Sequence, residues 1–258
     1  MKLMVRLLAA LLFAALPVMA QAEPAGVTEG VKLSAAAKLV NDVRVLKVGG
    51  DVFLGDLIET GPTGQVQIRF NDDTELVLGP NSLLRIDDYL LRNDGSAGKL
   101  AVDMLSGAFR FVTGDSAKNR YDISTPTGTI GVRGTAFDVA VEPDTGETQI
   151  ILFEGAVTFC TNDGKCQVLS SLCDVGIIES DNAEVLGNTI SFDTDTRQAL
   201  RKIFPYVQNQ SPLLPDFRLD AIRKCLIVVP PKPKSPPQEK ICIDDNEQVP
   251  CYGNNIRG

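Results

Sequence analysis

Between Leu39 and Glu179 the chain is a series of short apolar runs that alternate with period two and are cut by Gly, Asn and Asp turns. Gln65 to Phe70 is the clearest. Val66, Ile68 and Phe70 fall on one face, Gln65, Gln67 and Arg69 on the other, and Asn71-Asp72-Asp73 turns the chain into Glu75-Leu76-Val77-Leu78. A strand points successive side chains to opposite faces, so this spacing predicts a hairpin with one apolar side. Comparable units lie at Leu83 to Ile86, Lys99 to Leu105, Ala108 to Val112, Arg120 to Ser124, Phe137 to Val141, Thr148 to Phe153 and Ala156 to Cys160. A parallel α/β sheet needs helical spacers between its strands, and no helical spacing separates these runs. The pattern predicts a mainly β domain over residues 39–181, after a lead segment at 23–38.

The residues before the lead segment read as a secretory signal: Lys2 and Arg6, an apolar run from Leu7 to Leu16, Pro17, and the small-x-small site Ala20-Gln21-Ala22. Cleavage there starts the mature chain at Glu23. The apolar run is well short of the roughly 20 residues a spanning helix needs, and the strongest later run, Cys225 to Val229, is shorter still. No membrane insertion is expected after cleavage. The compartment is periplasmic or secreted.

Helical spacing appears only beyond the β region. Asp195 is expected to cap a helix carrying Ala199, Leu200, Ile203 and Phe204, and Asp216 a second one carrying Leu219, Ile222 and Leu226. Residues 182–229 thus form a small helical appendage. Residues 230–258 follow as a proline-rich linker, "PPKPKSPPQEK", and a tail closed by Cys242 and Cys251 around "IDDNEQVP".

Composition excludes several classes of function. Among 258 residues, 44% hydrophobic, there is no histidine, which removes imidazole-based triads, imidazole zinc sites and the usual neutral-pH base. Removing Lys2 and Arg6 takes the net charge from -8 to -10, which repels nucleic acid and anionic lipid. The six cysteines, Cys160, Cys166, Cys173, Cys225, Cys242 and Cys251, lack paired C-x-x-C spacing, so disulfides are expected in place of a metal site. Cys160 and Cys166 flank "TNDGK", a turn signal that lets them face each other across a hairpin. With Cys242 paired to Cys251, Cys173 and Cys225 are left to tether the appendage, a bridge worth roughly 3 to 4 kcal/mol from loop entropy. Asp72-Asp73 and Asp87-Asp88 could suggest glycosidase acids or calcium ligands. Sequence neighbours do not make opposed carboxylates, and acidic residues are common turn formers, so turn chemistry is the reading. No cofactor or catalytic residue is expected.

The stretch "TPTGTIGVRGTAFDVAV", Thr125 to Val141, has the ingredients of an anion loop in Gly128, Gly131, Gly134 and Arg133. A phosphate loop, however, leads into a helix, and here Phe137, Val139 and Val141 continue as a strand. Ile130 and Val132 sit on even positions and Phe137 onward on odd ones, so one extra residue has to be absorbed, as by a bulge at Gly134 with positive φ. Arg133 is expected to be a buried strand arginine paired with Asp138 or Glu154, the alternative being an anion contact.

The same stretch, with "TQIILFEGAVTF" after it and "GDLIETGPTGQVQIRFNDDTELVLGPNSLLRID" before it, resembles the FecR extracytoplasmic domain from roughly Val40 to Ser180. The matching motif positions are Thr125, Pro126, Gly128, Gly131, Arg133, Gly134, Thr135 and Phe137. The resemblance implies a double-sheet or short β-solenoid domain that acts by binding in the periplasm. Its best-known members are membrane sensors that pass a signal from an outer-membrane receptor to a cytoplasmic sigma factor. Only Met1 to Arg6 precede the apolar run. The leading expectation is therefore a non-enzymatic binding or scaffold module whose partner is an envelope protein or cell-wall component. The alternatives are an extracytoplasmic sensor in a sigma-factor pathway and a carbohydrate-active enzyme on a β-solenoid.

Overall fold

The computed structural model describes residues 23–40, 42–91, 97–117, 120–225, 241–244 and 247–250. The first half of the chain forms β1 (Gly26–Lys32), β2 (Ala35–Leu39), β3 (Asp42–Val45), β4 (Asp51–Val52), β5 (Leu57–Thr60), β6 (Gln65–Phe70), β7 (Glu75–Leu78), β8 (Leu83–Leu91) and β9 (Ala97–Val112). The second half adds β10 (Tyr121–Thr125), β11 (Gly128–Val132), β12 (Ala136–Val141), β13 (Thr148–Glu154), β14 (Val157–Thr161), β15 (Cys166–Leu169), β16 (Asp174–Ile178) and β17 (Ala183–Asn188). The hairpin expected at 65–78 is β6 and β7, in the register Val66 to Leu78 and Ile68 to Leu76.

These strands form two sheets. The front sheet runs β4-β1-β6-β7-β9-β12-β13-β16-β17 and is antiparallel throughout. The back sheet runs β3-β2-β5-β8-β9-β10-β11-β14-β15, and only β9 and β10 are parallel. Strand β9 belongs to both. Up to Ser106 it pairs with β8, and from Gly107 it pairs with β7 and β12. The change of sheet happens at Gly107, whose φ of +101° and close approach to Ser82 leave no room for a Cβ. The sequence suggested two strands here, and the structure joins them into one bent strand.

The sheets close on a single core. Phe70, Phe109, Phe111 and Phe137 from the front meet Ile58, Ile86, Val102, Ile130 and Phe159 from the back. Phe111 contacts Phe137 with ring centroids 5.6 Å apart and meets Tyr121 edge-on at 5.7 Å. Each such buried side chain contributes roughly 1.5 to 3 kcal/mol relative to exposure.

Residues 23–38 are not a lead to this domain but part of it, supplying β1 and most of β2. Small residues at contact points, Gly26 in β1 and Ala35 and Ala37 in β2, weaken their apolar pattern. Gly26 lies so close to the Arg69 carbonyl that a side chain would collide with it, and Ala35 and Ala37 are buried. At the other end β17, placed by sequence in the appendage, is an edge strand of the front sheet.

Beyond β17 come α1 (Thr194–Ile203), α2 (Pro205–Gln208) and two 3₁₀ turns, Pro215–Phe217 and Asp220–Lys224. The N-cap of α1 is Asp193, whose carboxylate accepts the Thr196 amide at 2.7 Å, and not Asp195. Asp216 caps no α-helix, since the prolines leave only single turns there; Leu226 lies outside the described residues. The appendage covers the outer face of the front sheet. Leu200, Phe204, Val207 and Ile222 pack on Ala136, Ile151, Phe153 and Val175, while Tyr206, Leu213 and Phe217 pack on Val77. Cys160 bridges to Cys166 and Cys173 to Cys225, as expected. Strands β18 (Ile241–Asp244) and β19 (Glu247–Pro250) form a separate hairpin, and Cys251 lies outside the described residues, so its bridge to Cys242 is untested. No helix among the described residues is long and apolar enough to cross a membrane.

Candidate functional site

The glycine motif forms a corner. β11 lies in the back sheet and β12 in the front sheet, so Ile130, Val132, Phe137 and Val139 all point into the shared core. The phase flip is thus a change of sheet between Val132 and Ala136, a larger change than a bulge within one strand. Gly134 has the positive φ expected of it, +66°. The neighbouring threonines tie the corner down. Thr113 Oγ1 accepts the Thr135 amide at 2.9 Å, and Thr127 Oγ1 donates to the Gly146 carbonyl at 2.9 Å. Thr125 Oγ1 donates to the Gly128 carbonyl at 3.3 Å. Gly128 lies against the Cys160 carbonyl, Gly131 faces outward, and Pro126 packs beside Gly146.

Arg133 is exposed, and its side chain makes no ion pair or hydrogen bond among the described residues. The buried pair expected of it belongs to Arg110 and Asp138. These residues sit directly opposite each other on β9 and β12, each about 1% exposed, and join through Nε to Oδ1 at 2.7 Å and Nη2 to Oδ2 at 2.9 Å. Arg110 Nη1 donates to Gln210 Oε1 at 2.6 Å and reaches toward the Phe217 carbonyl at 3.5 Å. The guanidinium lies between the Phe153 and Tyr206 rings, 5.6 and 5.5 Å from their centroids. Burial pushes the Asp138 carboxyl upward, and the guanidinium beside it opposes the shift. Burial likewise raises the Tyr206 phenol far above its ordinary range. In sequence, Arg110 and Asp138 are the lone charges in Ala108 to Val112 and Phe137 to Val141. That signal was legible; the pairing needed the strand register.

The appendage is held over this pair by polar contacts. The Leu214 amide donates to Gln67 Oε1 at 2.7 Å, Gln65 Nε2 donates to the Pro212 carbonyl at 3.3 Å, and Gln210 bonds both the amide and the carbonyl of Leu219. The outer face of the front sheet is therefore occupied by the chain itself. Arg110 and Asp138 anchor that cover.

A further cleft and exposed apolar residues lie on β3, at one end of the back sheet. Its outward residues Val43 and Val45 are 62% and 70% exposed. Its other face borders a cleft of about 570 Å³ lined by Glu23, Pro24, Leu39, Asp42, Arg44, Asp51 and Phe53. Arg44 is already committed there: it grips the fully buried Asp56 through two bonds of 2.5 and 2.6 Å, while Asp56 also accepts the Phe53 amide at 2.8 Å. The exposed carboxylates of Glu23, Asp42 and Asp51 leave the cleft net negative.

Of the two acidic pairs read from sequence as turn formers, Asp72-Asp73 lies in a turn, whereas Asp87-Asp88 lies within strand β8. Asp72 is buried and accepts from the Tyr121 hydroxyl at 3.1 Å and the Thr74 amide at 3.2 Å, and Asp73 takes a turn φ of +61°. Asp87 is exposed, and Asp88 lies 3.5 Å from Lys99. No group of three or more metal-ligating side chains occurs among the described residues.

Residues 56–158, from the residue before β5 into β14, match the family model described as FecR protein. Two crystal structures of a "putative anti-sigma factor" from Parabacteroides distasonis ATCC 8503, at 1.65 and 2.50 Å resolution, are similar to the chain. The first is 16% identical with a TM-score of 0.42, over 55% of this chain and 64% of the other. The second is 14% identical with a TM-score of 0.41, over 58% and 74%. The chain spans less than two thirds of the length of the first of these structures. Comparison with curated proteins returned no match.

Proposed function

Residues 56–158 are a FecR domain, and from that premise we propose that the chain is the protein-binding, extracytoplasmic part of an envelope signalling route whose output is a sigma factor. The observation that carries this reading is the family match. FecR domains lie on the extracytoplasmic side and are generally non-catalytic. The two disulfides agree with an oxidising compartment, periplasmic or secreted. The partner in this reading is a protein, such as an outer-membrane signalling component. A free-standing binding or scaffold module is the second reading, favoured by the cleavage site at Ala20-Gln21-Ala22, which would release the chain from the membrane. A carbohydrate-active enzyme is not favoured, because the acids that suggested one are a buried turn acceptor, a turn residue, an exposed surface acid and one beside a lysine.

Deleting the coding sequence in its host and measuring transcription across the genome tests the signalling reading. The expected result is a change confined to promoters of one alternative sigma factor, restored by the full chain. An unchanged profile, with the protein still crosslinking to an envelope partner, would favour the scaffold.

A further inference from the structure

We propose that the open edge of β3 docks an extended strand of a partner protein, one with apolar residues at alternate positions and lysine or arginine between them; this deepens the protein-binding reading above and rests on it. Among the described residues β3 pairs on one side only, with β2. The Leu46 amide donates to the Ala35 carbonyl at 2.9 Å, which makes that pair hydrogen-bonded. Pairs alternate along an antiparallel ladder, so Ala37 and Arg44 are bonded to each other. Val43 and Val45 therefore turn their N–H and C=O groups to the open side. An added strand would satisfy them.

The side chains specify the visitor. Strand residues alternate in direction, so one set of its side chains would lie over Val43 and Val45 and the other would enter the cleft behind Asp42 and Arg44. The first set meets exposed valines. The second meets the exposed carboxylates of Glu23, Asp42 and Asp51, of which Asp42 lies 3.9 Å from Arg44 Nε, between the apolar walls of Pro24, Leu39 and Phe53, a lining suited to the stem and cationic head of lysine or arginine. Arg44 offsets only part of the cleft's charge, because its two short bonds go to the buried Asp56 and Asp42 is held at the longer distance. The apolar surface continues at the end of the hairpin, where Val40 is 82% exposed at a φ of +52°, a conformation costly for a β-branched residue. The other edges suit a visitor less. β4 is two residues long, the register of β17 is broken against β16, and β15, the far edge of the back sheet, has β17 packed beside it.

The test uses the whole secreted chain and the peptide Ser-Val-Lys-Val-Lys-Val-Ser carrying a fluorophore, read by anisotropy. Binding is expected to weaken at least about tenfold when glutamates replace the lysines, and as much when alternate backbone amides of the peptide are N-methylated. N-methylation keeps the protein intact and removes only strand donors. Val43→Pro, which deletes an outward N–H on an edge strand, is expected to abolish binding with a melting temperature close to the parent's. Asp42→Asn with Asp51→Asn should erase the preference for lysine over glutamate while retaining the effect of N-methylation. Equal binding of the N-methylated peptide, or unchanged binding to Val43→Pro, overturns the proposal. So does a concentration-dependent dimer that Val43→Pro abolishes, which would make a second copy the occupant. So does co-sedimentation with phosphatidylcholine vesicles lost in that variant. The signalling reading is judged separately, by the transcription profile. A failed peptide experiment with an intact transcriptional response would move the docking surface elsewhere and leave the function standing.

Discussion

At Arg110 and Arg133 the same sequence signal has two physical outcomes. Each is a lone cation in apolar alternation. Arg110 faces the appendage and is sealed against Asp138, whereas Arg133 sits where the chain crosses between sheets and meets solvent. Arg110→Ala strands a buried carboxylate and is expected to cost about 3 to 5 kcal/mol. Arg133→Ala is expected to stay within about 0.5 kcal/mol of the parent, as for an ordinary surface change. Urea titration of both variants checks the pair, and reversed magnitudes would return the structural role to Arg133. Gly134→Ala introduces a Cβ at a φ of +66° and is expected to lose at least about 1 kcal/mol in the same measurement.

The appendage is where elements are held by a few identifiable devices. Its first helix starts at Asp193, so Asp193→Ala should cost about 1 kcal/mol while Asp195→Ala changes little. Circular dichroism melts of the two variants distinguish them. Asp195 misled because both aspartates sit at the start of one apolar-periodic segment, and only backbone dihedrals decide which residue stands outside the first turn. The disulfides differ by the chain they close. Cys173–Cys225 spans 52 positions and Cys160–Cys166 spans 6. Loop entropy puts their contributions at about 4 and about 2 kcal/mol. Replacing each pair by alanines should reproduce that order in denaturant midpoints. Loss of the longer bridge should also raise proteolysis within residues 190–225, since their packing on the front sheet would then depend on non-covalent contacts alone.

For the molecule as a whole, β9 is the shared strand. It donates one half to each sheet and so couples the two faces of the core. Gly107→Ala is expected to destabilise by at least about 1 kcal/mol, because its Cβ would occupy the space of Ser82 at a positive φ. A single cooperative transition is expected in the parent and in this variant, since no sheet can lose order without β9. Two separated transitions in calorimetry would show that the sheets are independent.

Local pattern alone determined the β class, the hairpin at 65–78, most strand positions and the pairing of Cys160 with Cys166. Each depends on period-two burial or on a turn a few residues long, which is physics contained in the segment. Cys173 with Cys225 also followed once the neighbouring cysteines were paired. Three features were decided only by tertiary structure. The first is β1 and β2, where Gly26 is small because the backbone of Arg69 and Phe70 lies against it, a fact no hydrophobic pattern records. The second is Arg110 as the partner of Asp138, which depends on the register of strands 28 residues apart. The third is the open edge of β3 with its acidic cleft, since whether a strand is an edge depends on what the rest of the chain leaves uncovered beside it.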